Sequence, residues 1–189
     1  TDLAWYTNTQ YGMNYFDALV DELPKKIATL FPQISKKRDK NFIAGLSMGG
    51  YGAFKMAFSN QQFSYAASLS GALIGDPNFP GRDAWQNDAY WQGIFGNLTK
   101  FPGSENDIIK LAQQQSFRKQ PLPKLYAWIG EQDFLFENNQ QTISQIKALG
   151  YDVTFETSPG EHDWYYWDKK IERILEWLPI NYKKEKRLS

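Results

Sequence analysis

Cysteine is absent from this 189-residue chain, histidine occurs once, and neither a charge excess nor a long apolar run is present. Without cysteine there is neither a disulfide nor a thiol nucleophile. The compartment stays undecided on that ground, because cysteine-free chains suit the cytosol and many bacterial exteriors alike. A single histidine and scattered carboxylates give none of the ligand spacings that metal sites use, so no metal is expected. Gly45 to Gly52 lacks the Lys-Ser/Thr ending of a phosphate-binding loop. Acidic and basic residues balance at 21 each, which leaves nothing to attract a nucleic acid. The basic runs Lys36-Lys-Arg38 and Lys183-Lys-Glu-Lys-Arg187 read as a solvated turn and tail. No apolar stretch approaches the ~20 residues that span a bilayer, and no signal peptide is read.

What is present begins with Asn41-Phe-Ile-Ala-Gly45-Leu-Ser47-Met-Gly49-Gly50, an apolar run that ends in G-x-S-x-G and continues into a helix-compatible stretch, Tyr51 to Phe58. That pattern predicts a strand, a sharp turn and a helix, with Ser47 exposed at the tip in strained torsions and glycines on either side letting strand and helix approach. Serine needs a base to take its proton, usually imidazole. The one histidine, His162, lies in Ser158-Pro-Gly160-Glu-His162-Asp-Trp164, just after the alternating, strand-like stretch Asp152 to Thr157. Between the two, the strand-like Lys124 to Ile129 runs into Gly130-Glu-Gln-Asp133. Asp133 follows that strand end most directly, ahead of the nearby Glu131, Glu137 and Asp163. The order Ser47, Asp133, His162 is the one expected of α/β-hydrolases rather than of chymotrypsin-like or subtilisin-like enzymes. Met48, next after the serine, would offer its backbone N–H to an oxyanion.

The rest of the chain reads as alternating strands and helices, hence a mostly parallel sheet with helices on both faces, in one domain spanning 1–189. A helical pattern runs from Met13 to Phe31 with Phe16, Leu19, Val20, Leu23 and Ile27 on one side, kinked or restarted at Pro24. Further strands are expected at Tyr65 to Ser70 and around Val153. Helices are expected at Asn138 to Leu149, closed by Gly150, and at Trp164 to Leu178, stopped by Pro179. From about 72 to 120 periodicity is lost, and Ser104-Glu-Asn-Asp107 looks like a capping box. This irregular segment reads as cap-like, and its aromatics Trp85, Tyr90, Trp91 and Phe95 form either a lid over the acyl pocket or a secondary core. Trp85, Trp91 and Trp164 are candidate substrate-pocket residues, and Trp5 and Tyr6 could border the same pocket. Only four strands are legible and Ser47 follows the first, so N-terminal strands carrying the second oxyanion donor are expected to lie elsewhere, cleaved, on a separate chain or left out.

Three motifs, Gly45-Leu-Ser-Met-Gly-Gly-Tyr-Gly-Ala53, Gly130-Glu-Gln-Asp-Phe-Leu135 and Pro159-Gly-Glu-His-Asp-Trp164 with Trp167-Asp168 after it, resemble the esterase D-like branch of the α/β-hydrolases. The bacterial tributyrin esterase group is the nearest match, among relatives of S-formylglutathione hydrolase and feruloyl esterases. The resemblance implies a cytoplasmic, cofactor-free serine carboxylesterase acting on a small acyl ester of short chain. It also implies Ser47 as nucleophile, Asp133 as orienting acid and His162 as base, and a homo-oligomer is expected. Two other readings stay open: a thioesterase like S-formylglutathione hydrolase, and a non-catalytic interaction protein on a hydrolase fold.

Overall fold

Four short apolar segments form the sheet of this computed structural model, which describes residues 3–79, 82 and 87–181. They are β1 (Phe42–Leu46), β2 (Tyr65–Leu69), β3 (Lys124–Gly130) and β4 (Val153–Ser158). All pair in parallel in the order β1-β2-β3-β4, with Ala44 opposite Ala67 and Ala127 opposite Phe155. Parallel neighbours need a crossover, and helices supply each one. α3 (Met48–Ser59) joins β1 to β2; α4 (Asp88–Phe95) and α5 (Ile108–Ser116) join β2 to β3; α6 (Phe136–Ala148) joins β3 to β4; and α7 (Trp164–Trp177) follows β4.

Side chains alternate across each strand and so build two cores. Leu125, Ala127 and Ile129 meet Phe54 and Phe58 of α3 and Ile143 and Ile146 of α6 on one face. Tyr126 and Trp128 meet Trp167 and Ile174 of α7 on the other. The helices therefore cover both faces, as the alternating pattern predicts.

The first helical stretch departs from one continuous helix. Tyr15–Asp17 (α1) passes through a π-helical turn, Ala18–Glu22, before α2 (Leu23–Leu30) begins with Pro24 in its first turn. Proline has no N–H to give the carbonyl four residues back, and that carbonyl, of Val20, takes the Gln62 side-chain amide at 2.8 Å instead.

The segment expected to be irregular, 72–120, holds two regular helices. Asn87 caps α4 by accepting from Tyr90 N–H, and Asp107 caps α5 by accepting from the N–H groups of Ile109 and Lys110. The capping box read at Ser104 is thus corrected by one turn. Ser104 Oγ accepts only from Asn106 N–H, whereas the carboxylate of Asp107 serves two orphan donors of α5 and that of Gly103. Trp91, Phe95 and Phe101 pack edge to face or stacked and join the larger core. Trp85 and the basic run 183–187 lie outside the described residues. Among the described residues no helix is long and apolar enough to cross a membrane.

Candidate active site

Ser47 stands at the carboxyl end of β1 with φ 51° and ψ −121°, a conformation that side chains rarely hold. Four backbone bonds fix it: its N–H donates to Leu69 O at 2.9 Å, and its carbonyl accepts from Gly50 N–H at 3.0 Å, Ala72 N–H at 3.2 Å and Tyr51 N–H at 3.3 Å. The turn is tight because strand and helix touch: a β-carbon on Gly45 would fall 2.1 Å from Gly49 O. Met48 opens α3, so its N–H stands outside the helical ladder.

The loops after β3 and β4 are joined in the same manner. Gln132 N–H donates to Gly160 O at 2.9 Å, Gly160 N–H donates to Gln132 Oε1 at 2.8 Å, and a β-carbon on Gly130 would lie 2.2 Å from Gly160 O. This contact sets Asp133 on one loop against His162 on the other. Asp133 is 4% exposed and its carboxylate accepts from Leu135 N–H. His162 Nδ1 lies 2.9 Å from Asp133 Oδ2 and 3.1 Å from Oδ1, and Nε2 lies 2.8 Å from Ser47 Oγ. With a carboxylate against Nδ1, the neutral ring carries its proton there and leaves Nε2 free to accept from the serine hydroxyl. The competing carboxylates go elsewhere: Glu131 and Glu137 are exposed, and Asp163 caps α7 by accepting from Tyr165 N–H.

Two aromatics that the sequence pattern did not single out for this role flank the imidazole. The Phe134 ring is tilted at 4.7 Å and the Trp167 ring stands edge-on at 4.9 Å, its indole N–H donating to Ser70 Oγ at 3.0 Å. The signal was available, since Phe134 adjoins Asp133 and Trp167 lies in the first turn and a half after His162. Among the described residues no group of three or more His, Asp or Glu side chains is placed to hold a metal ion.

The family model described as "Putative esterase" matches residues 4–178. The chain belongs to this esterase family. An "Acetyl esterase" of Caldicellulosiruptor saccharolyticus is 36% identical, the match covering 93% of this chain and 68% of that protein. Two solved Staphylococcus aureus structures are similar in both sequence and fold. The fluorophosphonate-binding serine hydrolase FphF is 34% identical at a TM-score of 0.83, with 96% of this chain and 69% of that one covered. The S-formylglutathione hydrolase FrmB is 35% identical at a TM-score of 0.79, with 94% and 68% covered. The protein is thus a serine esterase of the esterase D-like α/β-hydrolases.

The esterase presents two spaces to Ser47. One is a narrow, partly open pocket of about 10 Å³ lined by Trp5, Ala72, Phe79, Arg82, Trp91, Phe134 and Leu135. The other is an apolar groove of about 660 Å³ along β1 and α7, bounded by Tyr6, Met48, Trp164 and Trp167. Of the candidate pocket residues, buried Trp91 lies on the cavity, while Trp164, 69% exposed, lies on the groove.

Proposed function

We propose that this esterase hydrolyses short-chain acyl esters, acetyl esters foremost, through Ser47, His162 and Asp133. The observation that carries the reading is the unbroken run of hydrogen bonds from Ser47 Oγ to His162 to Asp133. Ser47 Oγ attacks the ester carbonyl as its proton passes to His162 Nε2. Asp133 keeps the other ring proton on Nδ1 and stabilises the imidazolium without taking that proton. The tetrahedral oxyanion is met by Met48 N–H. His162 then protonates the leaving alcohol, and the acyl-Ser47 ester forms. Water, deprotonated by the same Nε2, releases the acid.

Acyl size follows from the narrower space. A void of about 10 Å³ holds one water-sized group, which suits the methyl of an acetyl ester, and the 36%-identical relative is named an acetyl esterase. The 72–120 segment supplies Ala72, Phe79 and Trp91 to that wall and acts as its cap. FrmB supports a second reading, action on thioesters of equally small acyl groups; the ratio of thioester to oxygen-ester turnover separates the two. Ser47→Ala and His162→Ala should each lower kcat on p-nitrophenyl acetate by about 10⁶-fold. Retention of most activity by either variant would reject the assignment.

A further inference from the structure

One stretch of backbone beside the site is strained without an obvious local reason. Ala4 to Thr7 form a turn closed by Thr7 N–H donating to Ala4 O at 3.1 Å, and its two central residues, Trp5 and Tyr6, have φ of 52° and 51°. Two successive positive φ values make the pattern of a type I′ turn, which glycine, asparagine and aspartate dominate. Large aromatics hold such torsions only where surrounding contacts fix them.

Those contacts are present, and they send the two rings to two different spaces that Ser47 lines. Trp5 is 1% exposed and bounds the small cavity; Tyr6 lies against Gly52 and bounds the open groove. The Trp5 ring packs 4.9 Å from Trp91 and 5.9 Å from Tyr51. Its indole N–H donates to the Tyr90 hydroxyl at 2.8 Å, and that hydroxyl donates to Leu3 O at 3.1 Å. The indole is therefore clamped between α3, α4 and its own turn.

We propose that Trp5 is the specificity-determining residue of the acyl side, the strained turn placing its indole as the stop that limits the cavity beside Ser47 to an acetyl-sized group. The inference rests on the esterase reading above. Trp91 and Phe79 share the wall, pack against each other at 5.8 Å and lie in the same core as Trp5, but Trp5 alone of the three comes from outside the 72–120 segment, on a turn with two positive φ values.

The test compares kcat/KM for p-nitrophenyl hexanoate and acetate in the purified protein, Trp5→Leu, Trp5→Phe and Tyr90→Phe, each rate normalised to Ser47 labelled by a fluorophosphonate. One methylene in an apolar pocket shifts specificity by about 10- to 200-fold. Trp5→Leu should therefore raise the hexanoate-to-acetate ratio at least about tenfold, with smaller rises in Trp5→Phe and in Tyr90→Phe, which keeps the indole but removes its hydroxyl partner and that hydroxyl's bond to Leu3 O. A parent that prefers acetate, with a ratio unchanged in variants that still label, overturns the inference and leaves the esterase reading intact. A parent that prefers hexanoate overturns it as well. A parent that neither labels at Ser47 nor turns over any ester removes the reading and the inference together. Should Trp5→Leu fail to fold, Trp5→Phe and Tyr90→Phe decide.

Discussion

β3 and β1 both feed loops of the active site, yet they sit in different surroundings. Six of the seven residues of β3 are buried, from Leu125 to Gly130, with a core on each face. No residue of β1 is fully buried, Ala44 is exposed, and open grooves of about 660 and 750 Å³ run beside it toward α7 and α2. Leu23, Leu30, Phe31 and Ile34 on that side are 43–72% exposed. The contrast shows where the accuracy of the site comes from. Backbone contacts at the strand ends, Gly45 on Gly49 and Gly130 on Gly160, hold Ser47, Asp133 and His162 in register. The outer side of β1 contributes little to that register.

The proposed acid probes the tight side most severely. Asp133→Asn should leave the fold intact and lower kcat/KM by about 10⁴-fold, because the amide no longer favours the tautomer that presents Nε2 as acceptor. A loss under tenfold would move the role elsewhere. Gly130→Ala comes next, since its new methyl meets backbone rather than a yielding side chain. A destabilisation of about 3 kcal/mol in urea is expected, and an unchanged midpoint would show that the two loops part easily.

Lys55 of α3 tests the seam between the two sides. It is 1% exposed, donates to Thr7 Oγ1 at 2.8 Å and Asn106 Oδ1 at 2.6 Å, and lies over the Phe16 ring. Burial lowers its pKa from 10.5 to about 7, partly opposed by Glu105. Between those values the unfolded chain binds the proton and the folded one does not, so this group makes stability rise with pH above 7. Between pH 7 and 9 the gain should be about 2 kcal/mol, and urea unfolding of Lys55→Met should lack it. An equal slope in the variant would show that Lys55 stays charged in the fold. The smallest effect belongs to the open side: Leu30→Ser, at a position 72% exposed, should change stability by no more than about 0.5 kcal/mol. A larger loss would mean that this surface is covered in solution and would weaken the contrast.

Much of this arrangement is legible in the residues. The Ser47 turn could be read because glycine spacing reports directly on backbone approach, and the strands because their alternation reports on burial. The 72–120 segment was not legible, since α4 is short and apolar on several sides and the cap of α5 lies one turn past the residues that resemble it. Trp5 and Tyr6 line the spaces beside Ser47 as expected, but the turn that carries them was hidden for a different reason. It uses left-handed torsions without the glycine or asparagine that normally signals them, and tertiary contacts alone select it. The rings beside His162 stand close to Asp133 and His162 in the chain, so their nearness was legible, while their packing on the imidazole depends on the fold.

The central claim, that Ser47 is a nucleophile made reactive by His162, is tested most directly by fluorophosphonate labelling read by intact mass and peptide mapping. The account predicts one adduct per chain, on Ser47, and at least about a hundredfold slower labelling in His162→Ala. An unlabelled protein, an adduct on another residue, or equal labelling rates in the two proteins would contradict it.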